Sequence, residues 1–328
     1  MNNASKATQF TQQAGIELPV VCGAMYPCSN PELVAAVSEA GGLGIIQPIS
    51  LTYVHGHDFR EGIRLMRRLT SRPLGMNALI ERSSKKYHEK MVEWVDIALE
   101  EGVRFFITSL GKPDWVVERV HALNGYVYHD VTERKWALKG LEANVDGFIA
   151  VNNRAGGHAG GMSAQQLYEE LVDFELPILC AGGISTADQF HRALQLGYHG
   201  VQMGTRFIAT KECNASEAYK NAIVSASEND IVLSERITGV PVSVIKTPYI
   251  ERTGTRVGFI EKWLLKHNAT KRWMRTFYAL RSFRQFKKSN LDQSGKFDYW
   301  QAGKSVAGIH KILSVVEIME AFKGRMNK

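Results

Sequence analysis

The sequence predicts a (β/α)8 barrel with a C-terminal, mainly helical extension. Three short apolar runs lie in the segment 145–207, each ends in a loop that carries glycine, and two amphipathic helical segments separate them. This alternation is typical of buried parallel strands joined by helices. Apolar runs earlier in the chain bring the strand count to eight, the number that closes such a barrel. A chain of 328 residues with 45% hydrophobic content can fill this barrel and an appendage.

The predicted strands are short and follow one another along the chain. They cover 18–25, part of 41–46, 75–79, 104–108, 126–130, 147–151, 178–181 and 200–203. Apolar side chains at helical spacing predict barrel-covering helices between them, for example at 31–39 and 90–101. We expect the barrel to occupy residues 1–210 and the extension residues 211–328. Because barrels of this type place their chemistry where strands end, the strand-end loops are the candidate sites.

Two glycine-bearing loops after the last two strands predict a phosphate site. Residues 181–185 read AGGIS and residues 204–206 read GTR, so neither loop has bulky side chains where backbone amides would approach an anion. Each loop also opens a predicted helix, whose N-terminal end favours negative charge. The same glycines would suit tight turns alone, but two such loops after consecutive strands favour phosphate. The predicted contacts are Ala181, Gly182, Gly183, Gly204 and Thr205.

The loop after the sixth strand, 154–161, reads RAGGHAGG and centres on His158. Gly156 and Gly157 let the backbone come close to a planar ligand, and His158 is the one titratable ring in the loop. Histidine is well suited to exchange a proton near neutral pH. The sequence therefore favours His158 as the catalytic acid–base group over a surface histidine in a flexible loop.

The fifth strand supplies a second candidate acid–base group, His129. Asp130 follows it directly, and side chains alternate between the two faces of a strand. We therefore do not expect the two side chains to pair.

The motifs AGGHAGG, AGGIS and GTRF together resemble the nitronate monooxygenase family, formerly called 2-nitropropane dioxygenases, and are similar to the flavin-type enoyl-acyl-carrier-protein reductases. The resemblance extends from about Leu18 to the C-terminus, except near 255–298. It implies a (β/α)8 barrel that binds FMN. It further implies an FMN-dependent oxidoreductase, most specifically one that oxidises alkyl nitronates or nitroalkanes with O2 to a carbonyl compound and nitrite. The alternative is an NAD(P)H-dependent reductase of enoyl thioesters on acyl carrier protein.

The resemblance also implies cofactor contacts near the first and third strands. Gly23, Ala24 and Met25 match the turn that lies against the flavin ring in the family, and Asn77 matches a position with a polar side chain that bonds the flavin. Met25 would equally fill the core, and Asn77 would equally make an ordinary loop hydrogen bond.

Near the C-terminus, residues 299–308 resemble a segment that caps the flavin in the family. A cation there would stabilise reduced, anionic FMN, although a lysine would also simply face solvent. The sequence departs from the family near 135–136, where characterised members often carry a histidine. The predicted contacts in the capping segment are Gly303, Lys304 and Ser305.

The charge of the chain is unevenly distributed. Residues 251–328 hold 17 Lys and Arg against 6 Asp and Glu, whereas residues 1–250 hold 23 against 27. A basic end would attract nucleic acid, a membrane surface or an acidic carrier protein, but a solvated helical face is the commoner cause. Residues 258–288 place aromatic side chains among these cations at helical spacing, which predicts helices that pack over the barrel or against a second copy in a homodimer. We expect a small-molecule substrate and O2 as partners, with no nucleic acid and no membrane insertion.

Composition argues against several other classes of protein. The chain has no run of about 18 apolar residues that would predict a transmembrane helix. Its first residues lack a signal pattern, so a cytoplasmic protein is expected. Cysteines 22, 28, 180 and 213 have neither disulfide-framework nor zinc spacing, and we expect reduced thiols and no metal.

Overall fold

The computed structural model describes residues 8–81, 84–236, 239–256 and 298–326. Eight parallel strands follow one another around a closed barrel, and the last pairs with the first. The predicted fold class, a (β/α)8 barrel, is confirmed. The strands are β1 (Val20–Cys22), β2 (Leu43–Ile46), β3 (Leu74–Ile80), β4 (Phe105–Leu110), β5 (Tyr126–Val131), β6 (Gly147–Val151), β7 (Ile178–Ala181) and β8 (Gly200–Met203).

Helices alternate with the strands and cover the outside of the barrel. In the part of the chain that the structure describes, no helix has the length and apolar character needed to cross a membrane. The barrel helices are α1 (Gln9–Ala14), α2 (Pro31–Glu39), α3 (Phe59–Leu69), α4 (Lys85–Glu100), α5 (Asp114–His121), α6 (Arg134–Leu141), α7 (Ala164–Leu171), α8 (Ala187–Gln195) and α9 (Thr205–Ile208).

The sequence predicted the bounds of β6, β7 and β8 correctly, whereas β1 is shorter than predicted, β3 and β5 are longer by one or two residues, and β4 and α4 differ more. Strand β4 continues to Leu110 instead of ending at Thr108, because Ser109 and Leu110 keep their register with Leu79 and Ile80 of β3. Helix α4 begins at Lys85 rather than at Lys90. The longer β4 matters for the site, since it carries Ser109 on a strand rather than in a loop.

Aromatic side chains close the N-terminal end of the barrel. Phe10 of α1 lies with its ring centre 5.6 Å from that of Phe105 and 5.7 Å from that of Tyr128. The Tyr128 hydroxyl donates to Gln13 Oε1 at 2.6 Å, which satisfies the polar group of that ring. Each fully buried apolar side chain of this size contributes about 1.5–3 kcal/mol to folding. Side chains therefore fill the barrel interior at the N-terminal ends of the strands, and open space lies towards their carboxyl ends.

One aromatic contact packs the C-terminal extension on the barrel, and a second lies within the extension. Phe322 of α12 (Val315–Met326) stacks on Phe190 of α8 at 5.0 Å. Tyr219 stacks on Trp300 at 5.5 Å, and its hydroxyl donates to the Gln301 carbonyl. The first contact joins α12 to the barrel, and the second joins α10 (Glu217–Ser225) to the capping segment.

The extension is not purely helical. Its described part contains the helices α10 (Glu217–Ser225) and α11 (Pro248–Thr253) besides α12, and an antiparallel pair formed by β9 (Ile231–Ser234) and β10 (Val242–Ile245). The helices predicted at 258–288 lie outside the described residues, and the division of the chain at residue 210 stays a prediction.

Candidate active site

A cavity of about 120 Å³ lies in the barrel interior at the carboxyl ends of the strands. Its walls come from β2, β3, β4, β5, β8 and the turn after β1, so the barrel itself fixes its shape. Three of the lining residues are apolar and four are polar. They are Ala24, Ile45, Asn77, Ile107, Ser109, Asp130 and Gln202.

Asp130 is the one titratable group among the residues that line this cavity. Its Oδ1 atom is buried and has no hydrogen-bond partner within the described part of the chain. Because burial disfavours the ionised carboxylate, it raises the pKa of Asp130 from 3.8 to about 7. Asp130 can therefore gain or lose a proton near neutral pH, which is what an acid–base group in an active site must do.

His129 does not line the cavity, and the hypothesis that it is a second acid–base group there is wrong. Its side chain is buried on the outer face of β5, and a Cβ on Gly140 of α6 would lie 3.6 Å from the His129 ring. Its Nδ1 atom lies 2.9 Å from Thr108 Oγ1. Burial lowers the pKa of His129 to about 4, so the ring is neutral at physiological pH. The predicted alternation of His129 and Asp130 is confirmed, with Asp130 on the inner face.

The loop after β6 carries His158 at the mouth of the barrel, with its side chain exposed. Surrounding protein atoms remove part of the hydration of the ring and lower the pKa of His158 below its ordinary value of 6.5. The ring is thus neutral near pH 7 and able to accept a proton.

Asn152, which sequence reasoning missed, ties this loop to the loop after β7. The side chain is buried, its Nδ2 donates to the Gly182 carbonyl at 3.0 Å, and its Oδ1 accepts from the Arg154 amide at 2.8 Å. The only signal in the sequence was a polar side chain directly after an apolar strand.

The loop after β7 has the backbone shape that its two glycines predicted. Gly182 has a φ of +120° and Gly183 a φ of +80°, a region that other residues rarely adopt. A Cβ on Gly182 would clash with Asn152 Oδ1, and one on Gly183 would lie 2.7 Å from Arg154 Nε. The two glycines therefore let the side chains of Asn152 and Arg154 pack directly against the backbone of this loop, which a side chain at either position would prevent.

The helix that follows β8 can contribute less to anion binding than its sequence predicted. Helix α9 comprises only the four residues Thr205–Ile208, so a helix dipole contributes little here. Instead, Gly204 leaves space for the turn after β1, since a Cβ at Gly204 would lie 3.3 Å from Met25 Sδ. A Cβ at Gly23 in that turn would lie 3.0 Å from Gln202 Cδ. The turn after β1, the cavity wall and the loop after β8 are thus continuous.

The capping segment meets the loops after β6 and β8 through its backbone. The Gly303 amide donates to Thr205 Oγ1 at 3.0 Å, and the Lys304 amide donates to the Arg154 carbonyl at 2.9 Å. A Cβ on Gly156 would lie 2.9 Å from the Gly303 nitrogen. The structure therefore joins the segment predicted to cap the flavin to the His158 loop and to one of the two loops predicted to bind phosphate.

Most of the predicted contacts fall into two adjoining groups. Ala24 and Asn77 line the cavity. The glycines of the three loops, together with Thr205 and Gly303, form the rim. Ser305 is buried and Lys304 half-buried in the short helical turn that follows Gly303.

A closed (β/α)8 barrel with a glycine-lined rim and a titratable carboxyl group in the cavity at its mouth has the arrangement of a barrel enzyme. The chain belongs to the nitronate monooxygenase family, whose profile matches residues 7–322. The family resemblance predicted from the glycine motifs is confirmed, and the protein is an oxidoreductase of this family. Members of the family are generally flavin-dependent.

Two relatives illustrate the range of activities named among proteins similar to this chain. A probable nitronate monooxygenase of Staphylococcus aureus (strain Newman) is 26% identical over 304 residues, which cover 80% of this chain and 84% of that protein. A Rhodococcus jostii (strain RHA1) protein named (3aS,4S,5R,7aS)-5-hydroxy-7a-methyl-1-oxo-octahydro-1H-indene-4-carboxyl-CoA dehydrogenase is 27% identical over 257 residues. That match covers 77% of this chain and 70% of the relative.

Solved structures extend the likeness over nearly the whole chain. FabK from Thermotoga maritima superposes with a TM-score of 0.77 at 26% identity and covers 97% of this chain and 96% of its own. Nitroalkane oxidase from Streptomyces ansochromogenes gives a TM-score of 0.76 at 21% identity, covering 97% of each chain, and shares the fold.

Proposed function

We propose that this protein is an FMN-dependent oxidoreductase that oxidises alkyl nitronates or nitroalkanes with O2 to a carbonyl compound and nitrite. The observation that carries the proposal is the continuity of cavity and rim along β8. Gln202 lines the cavity, and Gly204, two residues further on, belongs to the glycine rim. A ligand with a phosphate at one end and a polar ring at the other fits this arrangement.

The residues present fit FMN at both ends. The loop after β7, in which Gly182 and Gly183 carry no side chain, would offer its backbone amides to a phosphate. In the cavity, Gln202 Oε1 and Asp130 Oδ1 are buried acceptors without described partners, and the isoalloxazine ring carries an N–H that could satisfy one of them. The cavity is smaller than the roughly 300–1,000 Å³ of typical ligand sites. The ring would therefore extend beyond it towards the rim.

FMN, when bound, would accept electrons from the substrate and pass them to O2. The protein's own contribution is to orient the substrate and to move protons. His158, neutral at the mouth, would accept the proton of a nitroalkane or donate a hydrogen bond to the nitronate oxygens. Asn77 and Ser109 place further hydrogen-bonding groups on the cavity wall.

An NAD(P)H-dependent flavin reductase that acts on thioesters is the second candidate. It is favoured by the relative named as a carboxyl-CoA dehydrogenase and by the match to FabK along 96% of that chain. The two candidates share the cofactor and differ in the electron donor, so the donor decides between them.

The visible spectrum of the purified protein tests the shared premise, because bound FMN is yellow. Anaerobic addition of ethylnitronate without nicotinamide should bleach the flavin, and readmitted O2 should restore its colour with release of nitrite. Bleaching by NADPH alone would support the second candidate. A colourless protein that cannot be reconstituted with FMN would contradict both.

The role of His158 is tested with two histidine variants in the same assay. His158→Asn should lower nitroethane turnover by about 10²- to 10⁴-fold, the usual contribution of a positioned acid–base group. His129→Gln is the matched control, because that ring lies outside the cavity and should leave turnover unchanged. Normal turnover in a His158→Asn protein that still binds FMN would exclude His158.

A further inference from the structure

The carboxyl group of Asp130 lines the cavity, and no positively charged residue in the described part of the chain lines the cavity with it. The seven residues that line it include Asp130 and no lysine, arginine or histidine. Burial is the one cause that raises the pKa of Asp130, so no neighbouring charge offsets it. An ionised carboxylate at this position therefore makes the cavity unfavourable for any second negative charge.

Among the residues that the structure describes, the neighbouring elements place no cation in this cavity. The inner faces of β4 and β6, which flank β5, place Ile107, Ser109 and Ile149 towards the barrel interior. His129 faces the outer side of β5. In the adjoining loops, Arg154 pairs with Glu228 and Lys112 pairs with Asp114 at 2.8 Å. His158 at the mouth is neutral near pH 7, and Lys304 of the capping segment does not line the cavity.

We propose that Asp130 is a proton-coupling residue for the bound flavin, which makes reduction take up two protons for each electron pair above neutral pH. The proposal rests on the proposed function, in that FMN is the cofactor. Two electrons and one proton give the reduced ring a negative charge. Asp130, ionised and unpartnered in the same cavity, would take up the second proton itself or keep it on the ring. In both cases the charge of the site does not change on reduction.

This coupling predicts the opposite of what a lysine at the same place would do. A cation would stabilise an anionic reduced ring, whereas Asp130 allows reduction only together with full protonation. The site would consequently become harder to reduce with each increase in pH. Asp130 and the flavin would titrate as one coupled pair rather than as independent groups.

The test is the midpoint potential of the FMN-loaded protein, measured by absorbance against a redox dye with dithionite between about pH 5.5 and pH 8.5. Wild type should take up two protons per electron pair over the alkaline half of this range, and Asp130→Asn should take up one. With each pH unit, the midpoint potentials of the two proteins should then move apart by about 30 mV. At a fixed potential, this equals a further factor of about ten in the ratio of reduced to oxidised flavin. At about pH 5.5, where wild-type Asp130 is protonated, the two potentials should coincide.

Ser109→Ala is the matched control, since it removes a neutral polar group from the same cavity. It should keep the two-proton dependence of wild type. A one-proton dependence in wild type, equal dependences in wild type and Asp130→Asn, or loss of the second proton in Ser109→Ala would each overturn the proposal. If Asp130→Asn does not fold, the wild-type proton count alone still decides. Nitronate turnover is measured separately, so a protein that shows the coupling without oxidising nitronates would contradict the proposed substrate and leave this inference standing.

Discussion

The backbone amide of Gly303 donates a hydrogen bond to the Thr205 hydroxyl across 3.0 Å, and both residues are buried. This bond joins the C-terminal extension to the loop after β8, although 98 residues separate the two partners in the chain. The rim of the site is therefore incomplete without the extension. A change that weakens the hydrogen bond of Gly303 should therefore lower the affinity for the cofactor first.

Replacing Thr205 by Val should weaken FMN binding. Valine keeps the shape of the side chain but removes the acceptor, so the Gly303 N–H is left buried and unpaired at a cost of about 1–3 kcal/mol. We expect the dissociation constant for FMN, measured by fluorescence quenching on reconstitution, to rise about tenfold or more. Thr205→Ser keeps the hydroxyl and should bind FMN like wild type. Equal affinities in all three proteins would show that the bond does not support the rim.

Replacing Gly183 by Ala should damage both stability and FMN binding. Gly183 has a φ of +80°, and the added Cβ would lie 2.7 Å from Arg154 Nε. A strained backbone of this kind costs about 1–3 kcal/mol. Gly161→Ala is the control in a neighbouring loop, because a Cβ there would meet nothing within 4 Å. Thermal unfolding and FMN titration should separate the two variants, and identical behaviour would contradict a requirement for glycine at Gly183.

His129 should make the protein sensitive to acid without affecting catalysis. The folded protein lowers the pKa of His129 from 6.5 to about 4, so between these values the unfolded chain binds a proton that the folded protein does not. Stability is therefore lost as the pH falls through this window, by about 1.4 kcal/mol per pH unit. Urea unfolding at about pH 7 and pH 5 should show a smaller loss in His129→Gln than in wild type. The same loss in both proteins would place the acid sensitivity elsewhere.

The parts of the site that could be predicted from sequence are those that depend on backbone. The conformation at Gly182 and Gly183 could be predicted because only glycine adopts it at little cost. The bounds of strands β6 to β8 could be predicted because each short apolar run ends at a glycine-bearing loop. Local chemistry alone identified these features.

The parts that were missed depend on which side of the barrel each side chain faces. Alternation placed His129 and Asp130 on opposite faces of β5 but could not say which face is the inner one, since both faces of the strand also carry apolar side chains. Asn152 acts through Gly182, 30 residues away, and that contact arises only when the barrel closes. The sequence places Gln202 within an apolar run. Its position in the cavity wall follows from the register of β8 with β1.

Replacing Asp130 by Asn should stabilise the protein at alkaline pH. The folded protein raises the pKa of Asp130 from 3.8 to about 7, so in this window the folded state holds a proton that the unfolded chain releases. Wild type therefore loses about 1.4 kcal/mol of unfolding free energy per pH unit from this group as the pH rises from about 4 to 7, and Asn loses none. Urea unfolding of the FMN-free proteins should show a difference that grows from about pH 5 to pH 7 and then levels off. Asn77→Asp is the informative counterpart, because it adds a carboxyl group to the same cavity and should destabilise the protein most at alkaline pH. A difference between wild type and Asp130→Asn that does not change with pH would mean that Asp130 is already ionised at pH 5, and it would remove the basis for proton coupling at this site.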